Sequence, residues 1–182
     1  MFGWHHEFSL LQLHRMFLNL TIVSLSVKYI PMKATPKGWP RLSSAIYYDD
    51  AAGAIHWLCR AFGFEVRFKV EGDAGRIVHS ELVYGEALIM VAQSGERPGR
   101  PQYPRGASPQ SIAGVNTQSL MLYVDNVDEH CARARAAGAK VLDEPSVHDY
   151  GADYWADRSY GALDPEGHVW WFTERVRNPP GE

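Results

Sequence analysis

Residues 46–70 read IYYDDAAGAIHWLCRAFGFEVRFKV and hold a strand, a helix and a second strand in close succession. A β-rich run over Leu42–Tyr48 is stopped by Asp49-Asp50. Asp50 can N-cap a helix from Ala51, because its carboxylate reaches the unpaired N–H groups of a first turn. Ile55, Leu58, Cys59 and Phe62 recur at the i, i+3, i+4, i+7 spacing of one helix face, and Gly63 closes the helix. Phe64, Val66, Phe68 and Val70 then alternate with Glu65, Arg67 and Lys69, the period of a half-buried strand. Further on, Glu71–Gly75 is a turn, Arg76–Tyr84 a strand, Gly85-Glu86 a tight turn and Ala87–Ala92 a third strand of this group. The order is β-α-β-β-β.

The order then restarts. Gln93–Thr117 carries four Pro and four Gly among 25 residues and has no periodic pattern, so it reads as a linker or a lid. Ser119–Val124 is a strand. Asp125 with Asp128 resembles a capping box ahead of a helix over Val127–Ala137, which Gly138 closes. Lys140–Leu142 reads as a short strand and Asp143–Asp157 as a long loop. Arg158–Leu163 and His168–Glu174 are two strands joined by a type I turn, Asp164-Pro-Glu-Gly167. Asp49 lies 14 residues before Gly63, and Asp125 lies 13 before Gly138, which marks an internal repeat. One four-stranded sheet with one helix keeps a bare face. Two such modules can pair and curve around a shared cleft, which gives an α+β fold. The expected organisation is an N-terminal extension over 1–40, a first module over 41–92, the linker over 93–117, a second module over 118–176 and a tail over 177–182.

Composition narrows the function classes. Of 182 residues, 46% are hydrophobic and 21% charged, ordinary values for a chain that buries a core. A net charge of −3 lacks the basic footprint of a nucleic-acid binder. Six Trp, nine Tyr and seven Phe suit a pocket for flat organic ligands. Cys59 and Cys131 have no zinc-type spacing and are expected to be buried free thiols in a reducing cytoplasm. The uncharged run Met16–Val27 is shorter than the roughly 20 residues of a membrane span. Glu7 and the lack of a cleavage site argue against a signal peptide. Residues 1–31 have no counterpart in the repeat, and they are expected to be an extension ahead of a second start at Met32.

Several stretches together resemble the vicinal-oxygen-chelate (glyoxalase/bleomycin-resistance/dioxygenase) superfamily. They are Ile46–Asp50, Ile55–Phe64, Arg76–Leu82, Leu122–Asn126 and the closing Asp164-Pro-Glu-Gly-His-Val-Trp-Trp-Phe172. The resemblance covers residues 41–174 and is nearest in character to the PhnB-like and bleomycin-resistance-like proteins. It implies paired βαβββ modules, a homodimer, and in the metalloenzyme members four His or Glu ligands to a divalent metal. The matching positions here are Ser43, Met90, Ser119 and Trp171. Hydroxyl, thioether and indole are poor partners for a hard or borderline divalent ion, so no metal or other cofactor is expected.

Strand parity sends the residues around those positions into the cleft: Tyr47, Met90, Met121, Tyr123 and Trp171, with Ala45, Leu88 and Thr173 between them. With Trp155 and Arg158 they make the candidate ligand-binding set, and the same residues would serve equally to fill the cleft as core. Tyr47 and Tyr123 are expected to face each other across it. His79 and Glu81, two apart on one strand, are the candidate acid/base pair. His148, Asp149, Asp153, Asp157 and Arg158 form a possible polar anchor. His56 and His130 are expected on the surface, and His168 is expected to pack in its turn. The function expected is metal-free binding of a small hydrophobic or aromatic molecule, resistance-like, with no nucleic-acid partner and no membrane span. The alternative is a superfamily enzyme, lyase, isomerase or dioxygenase-like, with an atypical or absent metal site. A structural dimer with a filled cleft is the third reading.

Overall fold

Two carboxylates fix the start of the first helix in the computed structural model, which describes residues 32–97 and 99–181. Asp50 Oδ1 accepts the Gly53 N–H at 2.9 Å. Glu166, from a hairpin 116 residues away, accepts the N–H groups of Asp49 at 2.7 Å and Asp50 at 2.8 Å. The fold described is that of the compact unit Thr35–Glu182. The run Met16–Val27 lies outside the described residues. Among those described, no helix is long and apolar enough to cross a membrane.

The first module comprises β1 (Ser44–Tyr48), α1 (Ala51–Phe62), β2 (Glu65–Glu71), β3 (Ile77–Tyr84) and β4 (Ala87–Gln93). The second comprises β5 (Ser119–Tyr123), α2 (Val127–Ala136), β6 (Lys140–Asp149), β7 (Ala156–Leu163) and β8 (Val169–Arg177). The sheets repeat one topology, β1-β4-β3-β2 and β5-β8-β7-β6. In each, the first and last strands pair parallel and the rest antiparallel. The α+β fold of paired βαβββ modules is therefore as expected.

Both helices contribute to one continuous core. Ile46, Tyr48, Leu82 and Val91 of the first module and Leu122, Tyr160, Trp170 and Phe172 of the second are buried in it with residues of both helices. Phe62, at the end of α1, joins the two: its ring centroid lies 5.2 Å from Trp170 and 4.6 Å from Phe172. Burying such a side chain is worth about 2–3 kcal/mol. Asp164 is a second joint. Its Oδ2 accepts from the Tyr48 hydroxyl at 2.6 Å and from Trp170 Nε1 at 3.1 Å, and its Oδ1 accepts from the Glu166 and His168 N–H groups at 3.1 and 3.0 Å.

Four expectations change. The loop Asp143–Asp157 is mostly strand: β6 runs to Asp149, pairing Ser146 with Ser159 and Asp149 with Ala156. Pro145 sits where the register shifts, on an edge strand that tolerates a missing N–H, and it hides the period-2 pattern. The cap of α2 is Asn126, whose Oδ1 accepts the Glu129 N–H at 3.0 Å, and not Asp125. Strand β2 does not keep one alternation: a bulge between Val66 and Phe68 sets Val66 opposite Leu82 and sets Phe68 and Val70 opposite Glu81 and His79, so the apolar residues divide between the two faces, and the strand is exposed along its whole length. His130 is only 2% exposed, because α2 turns it inward onto the Tyr160 hydroxyl (2.7 Å) and the Phe62 carbonyl (3.1 Å).

Asp164→Ala should lower unfolding free energy by about 3 kcal/mol or more, since it leaves the buried Tyr48 and Trp170 donors without an acceptor. Asp164→Asn should cost clearly less, and urea denaturation measures both. His130 gives a pH test. Burial pushes its pKa down to about 4 from the ordinary 6.5. The unfolded chain therefore binds a proton first, and the stability that depends on neutral His130 is present above pH 6.5 and drains as pH falls toward 4. That loss should total about 3 kcal/mol. His130→Gln should flatten this part of the melting-temperature profile.

Candidate functional site

Each helix covers one face of its sheet, and the opposite faces stand open. On the second sheet the open face carries Met121 and Tyr123 of β5 and Trp171 of β8, with exposures of 61%, 47% and 36%. Trp171 packs close to Gly161: a Cβ there would stand 3.1 Å from the indole and 3.2 Å from Asp143 Oδ2. Arg175, on the same face by parity, donates to the Tyr123 hydroxyl at 2.9 Å and to Asp157 at 2.5 Å, and its guanidinium lies 5.4 Å from the centre of the Trp155 ring. Tyr123, Trp155 and Arg175 thus form one stacked group. The sequence reading missed Arg175, although it continues the alternation Trp171, Thr173.

The modules meet at a hollow of about 590 Å³. Its walls are Leu42–Ala45, Ala87–Ile89 and Gln118–Leu122, so it is largely apolar with hydroxyl tips. Ser43 Oγ is buried there without a partner, and Ser44 donates to Gln118 at 3.1 Å. Met121 lines this hollow. Tyr123 lines another, of about 830 Å³, with Tyr84–Ala87 and Arg175. Tyr47 lines a third, beneath the linker. Tyr47 and Tyr123 therefore occupy separate hollows and do not oppose each other within the chain. Met90 is half-buried on the open face of the first sheet, one pairing step from β1 through Ala45.

The donor chemistry at the four positions where metalloenzyme relatives place ligands does not fit a divalent metal. Ser43, Met90, Ser119 and Trp171 offer two hydroxyls, a thioether and an indole. Among the described residues no three His, Cys, Asp or Glu side chains come together in a metal-holding group.

The candidate acid/base pair is in contact: His79 Nε2 and Glu81 Oε1 are 3.1 Å apart. Glu81 is buried, and its other oxygen takes Arg67 at 3.3 Å. Arg67 also donates to the Gly38 carbonyl and lies over the Trp39 ring. Both carboxylate oxygens are therefore engaged. Neither His79 nor Glu81 lines the hollow at the module junction or the one beneath the linker. The polar cluster before the last hairpin resolves into ion pairs. Asp149 binds Arg177, which holds its carboxyl down to about 2, and Asp157 binds Arg175. Arg158 makes two bonds to Asp128, at 2.9 and 2.7 Å, on the helix side of its sheet and away from Trp171. Cys59 and Cys131 are free, and burial raises both thiols.

The model of the Glyoxalase/Bleomycin resistance protein/Dioxygenase superfamily matches residues 42–172. An uncharacterized protein of Mycobacterium bovis, Mb0911c, is 32% identical over 140 residues, which is 76% of this chain and 85% of that protein. Among solved structures, TioX from Micromonospora sp. ML1 is 29% identical with a TM-score of 0.56, covering 75% of this chain and 99% of that one. Lactoylglutathione lyase from Agrobacterium tumefaciens is 21% identical with a TM-score of 0.51, covering 78% and 96%, a likeness of fold.

Because Trp171 is partly open, Trp171→Ala should cost only about 1–2 kcal/mol in chemical denaturation, against the roughly 3–5 kcal/mol of a fully buried Trp. A loss in the higher range would make Trp171 core and remove it from any ligand surface.

Proposed function

The chain belongs to the Glyoxalase/Bleomycin resistance protein/Dioxygenase superfamily, and within it we propose that the protein binds and sequesters a small hydrophobic or aromatic molecule without a metal. The observation that carries this reading is the open face of the second sheet. Met121, Tyr123 and Trp171 stand exposed there, and Trp155 is held beside them by Arg175. Exposed aromatic and thioether groups at such a density mark a contact surface. The superfamily's ligand positions carry side chains suited to stacking and dispersion, not to holding an ion. Among the described residues a catalytic reading rests on His79–Glu81, and that carboxylate is already shared with Arg67.

The same openness supports a homodimer. On β2, Phe68 and Val70 stand exposed on the open face, and a second chain covering both open faces would bury on the order of 1,600 Å². The free thiols support placing the protein in the reducing cytoplasm.

A thermal-shift screen of flat aromatic compounds against metal-stripped protein should give hits, and Trp171→Ala should abolish their binding. Stoichiometric transition metal retained through dialysis would overturn the metal-free reading. Light scattering should give a particle of twice the 20.5 kDa chain mass; a monomer at tens of micromolar would overturn the dimer.

A further inference from the structure

The linker is fastened onto the first sheet and encloses a hollow of about 440 Å³ at Tyr47. Gly95 and Gly106 exchange backbone hydrogen bonds of 2.7 and 3.1 Å, and Arg76 donates to the carbonyls of Ser94 and Glu96 at 3.4 and 3.3 Å. Gly106 lies directly on the Tyr47 ring, where an added Cβ would collide with the ring carbons. The glycine is needed there for close approach, because its backbone angle is not a left-handed one. Arg97 crosses the same ring at 5.1 Å from its centroid and the Tyr103 ring at 5.5 Å, and it donates to the Tyr47 hydroxyl.

Among the described residues, no carboxylate pairs with this guanidinium. Arg67, Arg135, Arg158, Arg175 and Arg177 each hold a carboxylate of the chain. Arg97 does not, and its Nε–H is buried without an acceptor. Arg105 also lines the hollow, and among the described residues no carboxylate pairs with it. His168 lines it too, while no Asp or Glu does. Pro104, Pro109, Ile112 and Val115 supply apolar wall. A half-buried cation facing a cavity without a counter-charge favours an anion from outside, and its planar fork matches a carboxylate. The volume falls within the range of about 300–1,000 Å³ typical of small-molecule sites.

We propose that the hollow beneath the linker binds a small organic carboxylate, its charge held by Arg97 and Arg105 and its body packed against Tyr103 and the apolar wall. This site is distinct from the aromatic face of the second sheet and does not depend on it.

Titration calorimetry on the full chain, with benzoate as the probe and benzamide as its neutral counterpart, tests this. Benzoate should bind at least tenfold more tightly than benzamide, and added sodium chloride should weaken it. Arg97→Gln should reduce benzoate affinity tenfold or more. Arg105→Gln, a change at an exposed side chain that leaves the packing of the linker untouched, should reduce it about threefold. Arg60→Gln, which removes an equal charge from the last turn of α1, should leave it unchanged. Equal affinity for benzamide, or full affinity in both Arg97→Gln and Arg105→Gln, would overturn the proposal. Inorganic phosphate displacing benzoate at lower concentration than benzoate itself requires would overturn the assignment to a carboxylate.

Discussion

The turn Asp164-Pro-Glu-Gly167 ties the two modules together, and the rest of the fold depends on what its two carboxylates accept. Glu166 takes the first N–H groups at the β1–α1 junction, and Asp164 takes the hydroxyl of Tyr48 at the end of β1. One short turn of the second module therefore sets the start of the helix in the first. It also anchors its own strand, since Asp164 accepts from Trp170 of β8. A buried carboxylate is tolerated only when its oxygens are paired, and here the pairing partners come from both modules. This forces the modules into one register, and Phe62 can then reach across to Trp170 and Phe172.

That joint was visible in the sequence as a motif but not as a contact. The residues Asp164-Pro-Glu-Gly-His could be read as a turn, because Pro and Gly fix local backbone angles. Their long-range partners could not, since nothing local encodes a hydrogen bond across 116 residues. The same division runs through the fold. Helix α1, with its apolar spacing, its Asp50 cap and its Gly63 stop, is legible because each signal acts within a few residues. Strand β6 was legible only in its first three residues, because Pro145 and the charges around it suit an edge strand yet resemble a loop. His130 was misplaced because a polar side chain on a polar helix gives no sign that Tyr160 and Phe62 wait to satisfy both ring nitrogens.

The candidate site divides the same way. Parity placed Met121, Tyr123 and Trp171 on one face, and alternation in a strand is a strict rule. It could not tell whether that face is covered. The structure shows it uncovered in a single chain, with Trp171 packed close to Gly161. The arginines were the larger gap. Arg67, Arg97 and Arg175 carry the electrostatics of three different places, yet each looked like an ordinary surface charge in the sequence. What distinguishes them is the neighbour, a property of strand pairing and linker docking.

Partner accounting then separates the polar groups of this molecule into two kinds. Glu81, Asp149, Asp157 and Arg158 look reactive in a list, and each is held by a partner within the chain. Engaging both oxygens of a carboxylate lowers its availability as a base and fixes its geometry, which is what a structural ion pair needs and what a proton-transfer group avoids. Among the described residues the unpartnered buried polar atoms are four: Ser43 Oγ at the module junction, Arg97 Nε beneath the linker, and the hydroxyls of Ser94 and Ser108. Unsatisfied buried groups are costly, so a fold keeps few of them. Ser43 and Arg97 line the hollows described above, and Ser94 and Ser108 do not. Among the described residues, Glu81, Asp149, Asp157 and Arg158 are held by partners within the chain, while Arg97 beneath the linker has none of opposite charge, and this contrast is what supports a binding reading at that hollow.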